Sequence, residues 1–151
     1  MPPAAVRRGW AAPSGGADLQ WRDTYSLGIR EIDEQHRVLI GNFATIEEAI
    51  RQGRNWSTVY FHVTNLKEFA RFHFTCEEAL MRLFGFPDLR LHAAEHAHFF
   101  KVLTEIERHS INKSIEKDLV KFLLMWMTKH IVGSDREFAK HILSGAAVVK
   151  T

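Results

Sequence analysis

The chain has 151 residues, 46% of them hydrophobic and 25% charged, the composition of one ordinary globular domain. The 20 Lys+Arg against 18 Asp+Glu leave a formal net charge of +2, too balanced for a nucleic-acid binder with a concentrated basic face. The single cysteine, Cys76, rules out an internal disulfide framework, and no apolar run approaches the ~18 residues of a membrane span.

Residues 1–20 hold three of the four prolines and clusters of Ala and Gly without apolar period, and are read as a flexible N-terminal extension. Arg7-Arg8 matches the pair of a twin-arginine export signal, but the Gly9–Gly16 stretch supplies no apolar core, so no signal peptide is expected. Residues 21–151 form the expected domain. A cytoplasmic location follows from the cysteine usage, with no membrane insertion and no nucleic-acid partner.

From Ile32 the apolar positions step by three and four, the helical period. The first stripe is Ile32, His36, Leu39, Phe43, Ile46 and Ile50. The second is Val59, Val63, Leu66, Ala70, His73, Glu77, Leu80 and Phe84. The third is Leu89, His92, His96, Phe99, Leu103 and Ile106, and the fourth is Leu119, Leu123, Trp126 and His130. Asp33 and Ser57 are expected as helix caps, Gly53 as a helix stop, and Pro87 as the start of the third helix. The run Val132-Gly133-Ser134 is expected to loosen the fourth helix before a last short helix over 138–143. The predicted fold is therefore all-α: an up-down-up-down four-helix bundle with a short C-terminal helix.

The polar residues on these stripes carry the functional signal. His36, His73, Glu77, His92, His96 and His130 fall where side chains should be buried. Burying one neutral polar group without a partner costs ~2–7 kcal/mol, against a net domain stability of ~5–15 kcal/mol. Such residues must satisfy one another or bind something. His73/Glu77 and His92/His96 are i, i+4 pairs, each on one helix face. His130 and Asp135 are five apart, and a loosened turn at Gly133-Ser134 can bring Asp135 back to the core. Five imidazoles and two carboxylates then converge from four helices. A structural zinc site usually closes with ~4 ligands, so this set is too large for one. Two octahedral ions need roughly twelve donor positions, and these side chains plus one shared oxygen fill roughly eleven. One position stays open for a small molecule.

Two competitors are weaker. His92-Ala93-Ala94-Glu95-His96 matches the HxxEH zinc-peptidase pattern, with Glu95 as general base, but leaves the other buried polar residues without a role. Carboxylate-rich di-iron enzymes use Glu-x-x-His pairs and mostly oxygen ligands, whereas nitrogen dominates here.

In its motifs the chain resembles the hemerythrin family, in its single-domain bacterial form, over about Trp21 to Leu143. His73-Phe-Thr-Cys-Glu77-Glu78-Ala-Leu-Met81 resembles the family's HFxxEExxM. Gly85-Phe86-Pro87 with His92-Ala-Ala-Glu95-His96 resembles its GYPxxxxHxxEH, and Trp126 to Asp135 its WxxxHIxxxD. Phe86 and Phe138 stand where the family often has Tyr. The resemblance implies two iron ions per chain: one on His92, His96 and His130, the other on His36 and His73. Glu77, Asp135 and an oxo or hydroxo group would bridge them. Dioxygen would bind at the second iron as hydroperoxide, with the net charge of the centre unchanged by the cycle. Leu39, Trp126 and Ile131 are expected as walls of a dry oxygen pocket. The implied function is reversible oxygen binding for transport, storage or delivery rather than enzymatic turnover, with molecular oxygen as ligand. An oxygen or redox sensor, an enzyme consuming peroxide or nitric oxide, and a metal store are the other readings. His62, His98, His109 and His141 are expected to face solvent, and Cys76 to be a small buried hydrophobe.

Overall fold

A computed structural model describes residues 19–109 and 113–149. Most of the expected N-terminal extension, residues 1–18, lies outside the described residues. A 3₁₀ turn over Asp23–Tyr25 leads into α1 (Arg30–Arg51), α2 (Trp56–Leu83), α3 (Leu89–Arg108) and α4 (Lys113–Met125). A π-helical segment, Trp126–Ser134, then runs directly into α5 (Asp135–Val149). No strand occurs among the described residues, and none of the described helices is long and apolar enough to cross a membrane.

The helix ends differ from expectation in three places. Asp33 lies within the first turn of α1 and binds the loop before it. Its carboxylate accepts from the Leu27 N–H at 2.8 Å and from the Ser26 hydroxyl at 2.6 Å. The helix therefore begins earlier, at Arg30, without a side-chain cap. In α2 the cap is Asn55, whose Oδ1 accepts the Thr58 N–H at 3.0 Å, while Ser57 donates its hydroxyl to the same oxygen. Pro87 sits in the turn ahead of α3, which starts at Leu89 after Asp88. Gly53 and Gly85 close α1 and α2 at φ of 68° and 61°, the left-handed conformation that ends a helix.

Short connections make successive helices antiparallel neighbours. The packing closes a ring: α1 on α2, α2 on α3, α3 on α4, and α4 back on α1. His36 near the start of α1 meets His73 late in α2, and Lys67 reaches Thr104 and Glu107 late in α3.

The core is divided. One cluster gathers Leu39, Phe43, Leu66, Phe74, Phe99 and Trp126 with their neighbours, and includes Leu19 just ahead of the first expected domain residue. A smaller cluster holds Leu27, Ile32, Met81, Phe138, Ala139 and Ile142. His36 lies in sequence between Ile32 and Leu39, Glu77 between Phe74 and Met81, and Asp135 between Ile131 and Phe138. A polar layer thus separates two apolar ones.

The loosening expected near Gly133 takes the form of a wider helix. The Asp135 N–H donates to the His130 carbonyl, an i→i−5 bond. In an α-helix, residues five apart diverge by ~140°. The π geometry cancels that divergence and returns both side chains to one face. The C-terminal helix is consequently continuous with the fourth. Inserting one alanine between Gly133 and Ser134 should turn Asp135 by about 100° out of the polar layer. Far-UV circular dichroism should keep its helical signal while metal uptake falls. Undiminished uptake would contradict this role for the π segment.

Candidate metal centre

Three helices of the ring, with the π segment and α5 that continue the fourth, deliver the polar layer. His36 comes from α1, His73 and Glu77 from α2, His92 and His96 from α3, His130 from the π segment, and Asp135 from the first turn of α5. All seven are buried, none above 3% exposed. The structure therefore brings together every ligand candidate expected from the sequence.

Their atoms form two overlapping groups. His92, His96 and His130 cluster with Glu77 and Asp135, and His36 and His73 cluster with the same two carboxylates. The carboxylates divide their oxygens between the groups. Glu77 presents Oε2 to His36 and His73 at 3.6 and 3.3 Å, and Oε1 to His92 and His96 at 3.6 and 3.2 Å. Asp135 presents Oδ2 to His36 at 3.0 Å, and Oδ1 to His92 and His130 at 2.8 and 3.1 Å.

These inward atoms have no hydrogen-bond partner among the described residues. That holds for Nε2 of all five histidines and for both oxygens of Glu77 and Asp135. So many buried orphans would be strongly destabilising in an otherwise dry core. A metal removes the difficulty. Two donors each ~2.1 Å from an ion and at right angles to it lie ~3.0 Å apart, the spacing found here. The donor set fits a pair of ions that take nitrogen and oxygen ligands.

The hemerythrin HHE cation binding domain matches residues 27–142 of this chain. The chain belongs to the hemerythrin family. A bacteriohemerythrin of Clostridium acetobutylicum is 29% identical over 127 residues, covering 78% of this chain and 96% of the relative. One from Stenotrophomonas maltophilia is 29% identical over 125 residues, covering 82% and 81%. A hemerythrin-like protein of Naegleria gruberi is 27% identical, covering 80% and 90%. Family membership implies non-haem iron binding, and this cluster is the group of residues that could hold it.

The outer partners of the hemerythrin-type ligands were not foreseen. His73 Nδ1 donates to Gln35 Oε1 at 2.7 Å, His96 Nδ1 to Glu78 Oε2 at 2.8 Å, and His130 Nδ1 to Glu95 Oε2 at 2.9 Å. These bonds hold the proton on Nδ1 and aim Nε2 inward. Glu95, the general base of the rejected peptidase reading, instead orients His130 and accepts from Ser134 Oγ at 3.1 Å. A sequence signal was there to be used. Each partner adjoins a ligand in the chain but serves a histidine on the next helix: Gln35 beside His36, Glu78 beside Glu77, Glu95 beside His96.

Aromatic rings seal the layer. Phe74 stacks on His96 at 3.8 Å and Trp126 on His130 at 4.0 Å. Trp126, Leu39 and Ile131 are all buried in the larger apolar cluster. Away from the centre, His98 and His109 are exposed as expected. His62 and His141 are half-buried, and His141 is drawn inward by a 2.8 Å bond to the Phe84 carbonyl. Cys76 is also only half-buried, because its neighbours on that flank, Phe72 and Leu83, turn outward.

Without metal, the centre must hold protons. Burial pulls the His36 pKa down, but the Asp135 and Glu77 carboxylates outweigh it and push His36 up to about 9. The same balance pushes His92 up to about 10 and His130 up to about 9. Burial and the mutual repulsion of the two carboxylates raise the Asp135 pKa, but His130 and His36 outweigh them and hold it low; Glu77 is likewise held low against burial, by His73 and its neighbours. Raised histidine pKa values stabilise the metal-free fold fully below the unfolded value of ~6.5, and that stabilisation is lost as pH rises through 9 to 10. The denaturation midpoint of the metal-free chain should fall between pH 7 and pH 10, whereas the iron-loaded chain should change little there. Iron loading at pH 7 should also release protons into weakly buffered solution. A flat metal-free profile with no proton release would contradict the assignment.

Proposed function

We propose that this chain is a reversible dioxygen-binding protein holding two irons. His92, His96 and His130 would hold one iron, His36 and His73 the other, and Glu77 and Asp135 would bridge both. The observation that carries this reading is the division of oxygens: each carboxylate gives one oxygen to the three-histidine group and the other to the two-histidine group.

Two irons held by these seven residues would supply the reversible two-electron chemistry that dioxygen binding needs. The chain's own residues set the conditions for that reversal. The group of His36 and His73 contributes one donor fewer than its partner group, which leaves room for a small molecule on that side. Five neutral imidazoles with only two carboxylates limit the negative charge on the centre and so disfavour high oxidation states. Fixed Nδ1–H bonds to Gln35, Glu78 and Glu95 keep the protons of His73, His96 and His130 on the outer face of their rings. Phe74 and Trp126 cover the rings and exclude water. Leu39 and Ile131, both fully buried, would line the oxygen side with hydrocarbon. A dry apolar wall keeps a reduced oxygen species from leaving with its electrons.

The cycle is visible in absorption. Iron-loaded protein, reduced without oxygen, should gain an oxygen-to-iron charge-transfer band when oxygen is admitted and lose it when oxygen is removed. A band that never forms, or that decays at once to a stable ferric spectrum, would overturn the reversible reading in favour of a sensor or an enzyme. Leu39→Ala and Trp126→Ala should each retain iron but speed spontaneous oxidation several-fold, by opening the wall to water. Unchanged oxidation rates in both variants would remove these residues from the pocket.

A further inference from the structure

The two histidine groups differ in what stands behind them. In the three-histidine group, His96 and His130 donate their outer N–H to the carboxylates of Glu78 and Glu95. In the two-histidine group, His73 donates to the neutral amide oxygen of Gln35. His36 Nδ1 is buried with no hydrogen-bond partner among the described residues. Two full negative charges back one half of the centre and none backs the other.

This difference has a direct chemical consequence. A carboxylate on the outer N–H makes a charge-assisted bond and pushes electron density to the inner nitrogen, which becomes a stronger donor. An amide oxygen fixes the ring just as well but adds no charge. We infer that Glu78 and Glu95 make the three-histidine position the tighter one, filled first and emptied last, while Gln35 and the unpartnered His36 leave the two-histidine position weaker and exchangeable. The inference rests on the two-iron reading above. Glu78, Glu95 and Gln35 act here as positioning residues, through the histidines they hold.

The two carboxylates should not count equally. The Glu78 side chain is 23% exposed and that of Glu95 is 44% exposed. Water screens the more exposed charge, so Glu78 should have the larger effect. Arg82 approaches Glu78 only to 3.8 Å and is itself exposed, too weak a pair to cancel its charge.

Stepwise binding of Co(II) to the metal-free protein, measured by competition with a chromophoric chelator, tests this. The intact chain should take two Co(II) in two resolved steps. Glu78→Gln and Glu95→Gln keep a hydrogen-bond acceptor and remove only the charge. Each should weaken the first step alone, by roughly ten-fold or more for Glu78→Gln and by less for Glu95→Gln. The reciprocal change, Gln35→Glu, should tighten the second step and narrow the gap. A purely structural role would be rescued by the isosteric glutamine and would leave both steps unmoved. Two Co(II) bound with an unchanged gap in all three variants would overturn the inference and leave the two-iron reading intact. One Co(II) per intact chain would overturn the two-iron reading itself, and the inference with it.

Discussion

Seven buried ligands must be satisfied at once, and the rest of the structure follows from that constraint. Five inward imidazole nitrogens and four carboxylate oxygens share a centre with no hydrogen-bond partners among the described residues. In the metal-free state the carboxylates hold protons on the histidines, which is why His36, His92 and His130 have raised pKa values. A metal held here would replace those protons and tie together the helices that carry the seven residues. Metal binding should therefore add to the stability of the fold.

The helical ring is built to serve that centre. The polar layer divides the apolar core into two clusters, and each cluster closes one side of it. Outer partners pass from helix to helix: α1 supplies Gln35 to His73 on α2, α2 supplies Glu78 to His96 on α3, and α3 supplies Glu95 to His130. Each helix thus fixes the orientation of the next helix's ligand, so errors in helix rotation would break both a bond and a donor. The π segment completes the set by correcting a five-residue spacing that an α-helix cannot use.

Much of this was legible in the sequence, for a physical reason. Buried histidines at +3/+4 spacing violate the apolar pattern of a bundle, and the violation is local, so His73/Glu77 and His92/His96 announce themselves. The five-residue gap from His130 to Asp135 pointed to an irregular turn, but not to its type, because π and looser geometries share that sequence. Outer partners were harder to read. Glu78 and Glu95 lie at half-exposed positions where a charged residue normally needs no explanation, and their partners are on other helices. Helix ends were least legible: Asn55 and Ser57 both can cap α2, and Asp33 can either cap α1 or bind the loop before it, so the path of the preceding loop decides. His141 escaped the solvent-facing expectation because the Phe84 carbonyl it binds is far away in the chain.

The central claim is that this one polar layer holds two irons bridged by two carboxylates. Anomalous diffraction at the iron edge, from crystals of the iron-loaded protein, addresses it most directly. The account predicts two iron peaks per chain, one among His92, His96 and His130 and one beside His36 and His73, both in contact with Glu77 and Asp135. A single peak, or iron bound outside this layer, would contradict it.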